Sequence, residues 1–155
     1  MTITKSTQSN TIDSEKQYGT IPFSSDLKTK VVEIQGKGRG IISLNSITSG
    51  RLIMCDAVDR DSGREAKALK ERDIYYHLFV DPEHYHQFRE IDLLWAIGPI
   101  SIVNHSNTPN CEVVWHKNKG YEWVILKSIK NIKKKEELTI FYTNIEEYAG
   151  HELYT

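Results

Sequence analysis

Hydrophobic residues along this chain come mostly in short runs that alternate with polar residues. Short runs rich in β-branched and aromatic residues, bounded by turn-forming residues, are typical of strands. Residues 63–72 differ, because they contain good helix formers with no breaker after Gly63, and they predict a helix. The pattern therefore predicts a mainly β fold with one or two small helices. The strand candidates are residues 30–34, 41–44, 51–55, 74–80, 111–115, 121–126 and 137–142.

Glycine and proline mark places where the predicted elements end. Residues 91–103 are largely apolar, but Gly98 and Pro99 interrupt them. Because proline removes a backbone donor and clashes with the preceding turn, one continuous helix is disfavoured there. Residues 117–120 read Lys-Asn-Lys-Gly between two strand candidates, which indicates a hairpin.

The polar residues at the start of the chain suggest a division into three parts. Residues 1 to about 24 are rich in Ser, Thr, Asn and Gln, and such a composition buries too little apolar surface to order itself. We therefore predict a mobile polar tail over residues 1–29, one folded domain over residues 30–143, and a short C-terminal segment over residues 144–155.

Composition excludes several classes of protein. The 155 residues, 39% hydrophobic and 26% charged, fit one globular domain of ordinary size. A formal net charge of -1 provides no overall basic field, so we expect no direct nucleic-acid partner. No apolar run is long enough to cross a bilayer, and residues 1–10 lack a signal-peptide core. We expect no membrane partner and a cytoplasmic or other intracellular location.

Metal and disulfide chemistry find little support. Cys55 and Cys111 lie far apart without metal-ligand spacing, so a zinc cluster is disfavoured. The two cysteines could pair in one disulfide, but buried free thiols fit an intracellular protein better. His105 has no second histidine or carboxylate at ligand spacing, and we expect no metal site.

Three polar or glycine-rich segments are candidates for chemistry, and each has an ordinary structural interpretation. Residues 103–110 place six polar residues and a proline behind an apolar run. Spacing alone favours a polar loop with Asx turns, and the alternative is a loop that holds a polar ligand. Residues 36–40 contain three glycines and indicate a tight turn, since they lack a dinucleotide-binding spacing. Lys133–Lys135 indicate a solvated turn.

Taken together, these segments resemble the motifs of the SET family of protein lysine methyltransferases. The resemblance covers roughly residues 30–148 and is nearest to compact bacterial and viral SET proteins. Gly38-Arg39-Gly40 resembles the first cofactor turn of the family. Asn104-His105-Ser106, followed by Pro109-Asn110, resembles the second motif. Glu136-Glu137-Leu138-Thr139, followed by Tyr142, resembles the third.

The resemblance implies both a fold and an activity. The fold would be a SET-type β-clip of short curved sheets with a knot-like C-terminal arrangement. The activity would be transfer of a methyl group from S-adenosylmethionine to a lysine amine on a protein, either histone-like or another basic protein. A homodimer is one assembly that compact relatives use. A viral or intracellular bacterial source would make the nucleus of a host a further location.

Residue roles follow from the same resemblance. Tyr142 would be the active-site tyrosine, which orients the amine. Tyr76 and Tyr148 would bind the substrate, Tyr76 as a wall of the lysine channel and Tyr148 as part of the segment that closes the site. The residues that would bind the cofactor are Gly38, Arg39, Gly40, Asn104 and His105.

Three positions depart from the family pattern and keep two alternatives open. Asn107 stands where many relatives have cysteine, and Ile140 and Phe141 stand where many have an aromatic residue and aspartate. The aromatic residue is linked to the number of methyl groups added, so the sequence leaves that number open. A catalytically silent SET-like module that binds cofactor or peptide is the first alternative. An unrelated small β-fold domain that acts as an interaction or sugar-binding module is the second.

Overall fold

The computed structural model describes residues 25–61, 77–81, 93–118 and 120–143. Within these residues the chain forms nine strands and a 3-10 helix at Pro99–Ile102. The strands are β1 (Thr29–Ile34), β2 (Gly38–Ser43), β3 (Leu52–Asp61), β4 (Phe79–Val80), β5 (Leu93–Ile97), β6 (Asn104–His105), β7 (Cys111–Asn118), β8 (Tyr121–Ser128) and β9 (Glu137–Ile140).

The strands form two sheets. One has the order β1-β2-β9-β6, and the other has the order β4-β5-β3-β8-β7. Within each sheet the paired strands are antiparallel, except that β6 runs parallel to β9. The strand β9 therefore lies between β2 and β6, which come from well-separated parts of the chain. The predicted C-terminal arrangement is described as far as residue 143, and in that part the late strand β9 is inserted between two earlier strands.

One cluster of buried apolar side chains joins the two sheets. The strand β5 shows the alternation that buries such residues, because Leu94 and Ala96 are buried whereas Trp95 and Ile97 are exposed on the opposite face, and Ala96 belongs to the cluster. Each fully buried isoleucine or leucine stabilises the fold by about 1.5–3 kcal/mol relative to exposure. The cluster consists of Ile41, Ile47, Ile53, Ala96, Ile100, Val103, Cys111, Val124, Leu126, Ile132, Leu138 and Ile140.

The mainly β fold and most of the predicted strands are confirmed. The hairpin predicted at residues 117–120 joins β7 to β8. The break at Gly98 and Pro99 is also confirmed, since β5 ends at Ile97 and the 3-10 helix begins at Pro99. The predicted helix over residues 63–72 and most of the N-terminal tail lie outside the described residues. Among the residues that the structure describes, no helix is long and apolar enough to span a membrane.

Two strand predictions were too long. Residues 74–80 were predicted as one strand. Residues 74–76 lie outside the described residues, and of the remainder His77 belongs to a helical turn while Phe79–Val80 pair with β5. The ring of His77 is instead within hydrogen-bond distance of the Ser101 carbonyl, at 3.1 Å. The last strand ends at Ile140 rather than at residue 142, because the Tyr142 N–H donates to a side chain instead of a neighbouring strand.

Both cysteines are free thiols, in agreement with the sequence. Cys111 is buried on β7, and its burial raises the pKa of the thiol to about 12. Cys55 is half-buried on β3, and its pKa is also raised, first by burial and then by the neighbouring Asp56 carboxylate. Both groups are therefore protonated and poorly nucleophilic at neutral pH.

Asp56 is a buried carboxylate beneath the turn that leads into β6. It lies on β3, is 9% exposed, and accepts a hydrogen bond of 2.7 Å from the Ile100 N–H. Gly98 packs directly against it, because a Cβ on Gly98 would lie 2.3 Å from the carboxyl carbon. Burial raises the pKa of Asp56, and the Ile100 hydrogen bond only partly offsets this effect.

Replacement of Asp56 by asparagine should stabilise the protein at neutral pH. Because the pKa is higher in the folded state, ionisation of Asp56 costs stability as the pH rises from the unfolded-state value through the folded-state value. We expect Asp56→Asn to raise Tm at pH 7.5, by about 2–4 °C for each 1 kcal/mol of ionisation cost that the substitution removes in a domain of this size. The gain should vanish toward pH 3, where aspartate is protonated in both states. Thermal unfolding from pH 3 to pH 8 measures this, and a gain independent of pH would contradict it.

Candidate functional site

Three sequence segments converge where β9 lies between β2 and β6. Asn104 pairs with Thr139, and His105 pairs with Ile140. On the other edge of β9, Glu137 pairs with Ile42 of β2. The ladder extends by one hydrogen bond of 2.9 Å from the Ser106 N–H to the Ile140 carbonyl. The structure therefore brings the glycine turn, the Asn-His-Ser segment and the last strand together.

Asn104 is the most buried polar residue of this group, at 3% exposure. Its amide nitrogen Nδ2 donates to the Arg39 carbonyl at 3.1 Å and to Glu137 Oε1 at 2.8 Å. Both N–H groups are thus used, whereas no residue in the described part of the chain donates to Asn104 Oδ1. A buried acceptor without a donor is uncommon in folded proteins and points to a bound molecule or water.

Gly40 provides the space in which the Asn104 amide lies. A Cβ at position 40 would lie 2.6 Å from Asn104 Nδ2 and 2.7 Å from Ile34 Cγ1. Any larger residue would therefore displace the amide. Gly38, at the end of the β1–β2 turn, has a positive φ of 73° and open space around it. Glycine is needed at that position for its backbone conformation and not for packing.

Asn110 connects the loop after β6 to the last strand. Its Nδ2 donates to Glu136 Oε1 at 3.1 Å and to the Glu137 carbonyl at 2.8 Å. Its Oδ1 accepts a hydrogen bond of 2.9 Å from the Thr139 N–H. Since Asn110 is buried, these hydrogen bonds fix the register of β9 beside the Asn-His-Ser segment.

Tyr142 follows β9 and turns back over β6. Its hydroxyl donates to the Val103 carbonyl at 2.6 Å, and its N–H donates to His105 Nδ1 at 3.0 Å. Because the hydroxyl donates its proton to the Val103 carbonyl, the role left to the hydroxyl oxygen is that of a hydrogen-bond acceptor. This geometry suits a group that accepts a hydrogen bond from a bound molecule, and it does not suit a proton donor.

The hydrogen bonds of His105 define its tautomer. Nδ1 accepts from the Tyr142 N–H, so in the neutral ring the proton is on Nε2, which lies 3.1 Å from Asn107 Oδ1 and donates to it. The ring also contacts the rings of Phe141 and Tyr142, with centroids 5.2 and 5.5 Å apart. His105 thus holds the residues after β9 in place.

The outcome for the predicted site residues can be stated from these contacts. The structure brings together Gly40, Asn104, His105 and Tyr142. Arg39 takes part through its backbone carbonyl, while its side chain is exposed, and Gly38 lies at the adjacent turn. Tyr76 and Tyr148 lie outside the described residues. Their assignment to the substrate, and the assignment of the others to cofactor and catalysis, stay predictions.

Two residues that shape the site were not predicted as site residues. Glu137 accepts a hydrogen bond from the Asn104 amide, and the Val103 main-chain carbonyl accepts one from the Tyr142 hydroxyl. Because Glu137 stands in the third motif, the sequence could have indicated it as a site residue. Its contact with Asn104 could not be predicted, because that contact depends on the pairing of β2, β9 and β6. A main-chain acceptor leaves no mark in the sequence.

Comparisons with known proteins agree with the geometry. A family profile described as the SET domain matches residues 38–143. The chain is 28% identical over 135 residues to a protein of Fusarium mangiferae named as an H3 lysine-9-specific histone-lysine N-methyltransferase. That match covers 75% of this chain but 39% of the relative, so the chain spans well under half of the relative's length.

Two solved structures share the fold. A protein of Plasmodium falciparum described as a candidate histone methyltransferase superposes with a TM-score of 0.57 at 21% identity, covering 76% of this chain and 94% of that one. An inhibitor-bound, humanised mutant of the Chaetomium thermophilum Polycomb Repressive Complex 2 superposes with a TM-score of 0.60 at 18% identity, covering 76% of this chain and 15% of that one. With the profile match over most of the chain, these findings show that the chain belongs to the SET-domain family.

Proposed function

We propose that this chain is an S-adenosylmethionine-dependent protein-lysine N-methyltransferase. The observation that carries the proposal is the juxtaposition of the Tyr142 hydroxyl with the Asn104–His105 strand. The Tyr142 hydroxyl donates to the Val103 carbonyl, one residue before Asn104, and Asn104 is a buried amide whose oxygen receives no donor from the residues that the structure describes. A site for methyl transfer to an amine needs acceptors to orient the amine and a polar cradle for the methyl donor.

The residues of the site fit the proposed cofactor. Asn104 Oδ1 offers a buried acceptor for an ammonium group, and Gly40 leaves room for backbone and amide to approach a ligand closely. The exposed Arg39 side chain is free to swing toward a carboxylate, as a charge-assisted contact. When bound, S-adenosylmethionine supplies a methyl group that the adjoining sulfonium makes electrophilic. No metal is needed, because the leaving group is already activated by its charge.

Tyr142 would prepare the substrate amine. A lysine amine ordinarily titrates near 10.4, and only its neutral form has a lone pair. An apolar channel favours that form by desolvation. The Tyr142 oxygen then accepts one amine N–H, which aims the lone pair. Holding reacting groups in this way contributes about 7–11 kcal/mol to catalysis in well-oriented systems.

The proposed substrate is a lysine on a histone-like or other basic protein. The Fusarium relative is named for lysine 9 of histone H3. Because this chain matches 39% of that relative, the target lysine and the number of methyl groups added require direct assay. A basic protein substrate places the activity inside a cell, either in the cytoplasm or beside chromatin. A homodimer is also proposed, and sedimentation of the purified protein would measure its oligomeric state.

Calorimetry with S-adenosylmethionine and S-adenosylhomocysteine tests the proposal. We expect one-to-one binding, weakened by about ten- to a hundredfold in Asn104→Ala because a buried hydrogen bond to a charged group is lost. Asn131→Ala is the matched control, since Asn131 accepts a hydrogen bond from the Ser49 N–H in an exposed turn away from the site.

The same samples separate the alternatives. Binding together with methyl transfer to a pool of histones or other basic proteins supports the proposal. Binding without transfer to any protein in the pool favours a silent module, which the buried Ile140 in place of the family's aromatic residue would then explain. Absence of binding in folded protein contradicts the proposal.

A further inference from the structure

We propose that Glu137 is a positioning residue, whose carboxylate fixes the direction in which the Asn104 amide presents its oxygen. The identity of the ligand in this inference rests on the proposed function. The contact itself does not, because Glu137 Oε1 lies 2.8 Å from Asn104 Nδ2 in the structure. Glu137 therefore acts through Asn104, not on the reacting atoms.

An asparagine side chain can lie in either of two orientations that differ by exchange of Oδ1 and NH2, and its surroundings must select one. Here Nδ2 faces two acceptors, the Arg39 carbonyl and the Glu137 carboxylate. The reversed amide would direct Oδ1 at both of them, and two pairs of acceptors would repel. In the observed orientation Oδ1 receives no donor from any residue between 25 and 143 that the structure describes.

Charge makes Glu137 the stronger of the two determinants. Its contact with Asn104 is 2.8 Å long, compared with 3.1 Å for the neutral Arg39 carbonyl. Hydrogen bonds to ionised acceptors are shorter and about twice as strong as neutral ones. The other carboxylate oxygen, Oε2, lies 3.1 Å from Lys37 Nζ. The two carboxylate oxygens of Glu137 thus have different partners: Oε1 accepts from Asn104 and Oε2 pairs with Lys37.

This arrangement affects one part of a ligand only. In this proposal Asn104 Oδ1 accepts from the ammonium group of an amino acid, and an adenosine without the amino-acid portion has no such group to place there. Hydrogen bonds along a chain also polarise one another, so a carboxylate behind the amide strengthens Oδ1 as an acceptor. Loss of Glu137 should therefore weaken ligands that carry the amino-acid portion and spare those without it.

Calorimetry on Glu137→Ala with two ligands tests the inference. S-adenosylhomocysteine carries the amino-acid portion, and 5′-methylthioadenosine lacks it. We expect S-adenosylhomocysteine to bind about tenfold more weakly, the effect of about 1.4 kcal/mol, and 5′-methylthioadenosine to change by less than about twofold. Glu136→Ala is the matched control, because the adjacent carboxylate contacts Asn110 and the Lys133 N–H instead of Asn104. It should leave the ratio of the two affinities unchanged.

Equal losses for both ligands would overturn the inference, since they would indicate a general structural role. Unchanged binding of both ligands would also overturn it.

NMR of the ligand-free protein is a second measurement, and it needs no cofactor. Asn104 side-chain amide protons, identified by their loss in Asn104→Ala, should resonate downfield in the wild type and move upfield in Glu137→Ala. If the wild type binds neither ligand, the proposed function fails, and the NMR shift alone decides whether Glu137 orients Asn104.

Discussion

Tyr142→Phe should bind S-adenosylmethionine normally and transfer methyl groups about 100- to 1,000-fold more slowly, as loss of one preorganised polar group at a reacting centre usually does. The hydroxyl is the only atom removed. The Asn104 amide keeps its hydrogen bonds to Arg39 and Glu137, and the N–H of residue 142 still donates to His105 Nδ1. Loss of the bond to Val103 should cost about 1 kcal/mol of stability.

Transfer of a labelled methyl group to a pool of basic proteins, alongside calorimetry, measures both quantities. Tyr121→Phe is the control. It removes the same hydroxyl group from a tyrosine that is 65% exposed at the start of β8, away from the site. Normal turnover by Tyr142→Phe would remove Tyr142 from the active site. If Tyr142→Phe lost both cofactor binding and methyl transfer, the role of the hydroxyl would be structural.

Gly40→Ala should damage both the fold and the cofactor site. The added methyl group would lie 2.6 Å from Asn104 Nδ2, 2.7 Å from Ile34 Cγ1 and 3.1 Å from Glu137 Oε1. Asn104 cannot move away without losing its bonds to Arg39 and Glu137. Overpacking of this kind costs about 1–3 kcal/mol, and if about 2 kcal/mol falls on the site, affinity for S-adenosylhomocysteine drops about 30-fold.

Gly36→Ala separates crowding from backbone strain. Gly36 has a positive φ of 75° and nothing within 4 Å of its added Cβ, so the substitution strains the turn by roughly 1–2 kcal/mol without touching the site. Chemical unfolding and calorimetry should show a loss of stability in both variants and a loss of affinity in Gly40→Ala alone. Equal affinity for the two variants would mean that Gly40 does not shape the cofactor site.

Local patterns predicted most of the fold. Alternation and turn residues identified the β7–β8 hairpin, and the break at Gly98 and Pro99 followed from the chemistry of proline. The strand predicted over residues 74–80 was too long in its described part, because aromatic composition does not reveal that His77 lies in a helical turn and that pairing with β5 begins at Phe79. Its length is set by a neighbour that lies further along the chain.

The site was only partly predictable, because pairing decides it. Motif spacing identified Asn104 and Tyr142, but Tyr142 was expected to end a strand and instead leaves the ladder to contact Val103 and His105. The partner of Glu137 depends on which strand lies beside β9. The burial of Asp56 was missed, although alternation along β3 places it on the same face as Met54 and Val58, both of which pack against the core.

The parallel pairing of β6 with β9 has a consequence for how the chain reaches its native state. The β7–β8 hairpin lies between these strands in sequence and pairs with β3 in the other sheet. Local hairpins close quickly, whereas pairing of distant segments is slow because the entropy of the intervening loop is lost first. The contacts of Asn104 with Arg39 and Glu137, which lie 65 and 33 residues away along the chain, should thus form later than the local hairpins. A refolding chain in which the antiparallel pairs β1–β2 and β7–β8 are complete would still lack the contacts around Asn104, so recovery of ligand affinity should lag behind recovery of β-sheet circular dichroism.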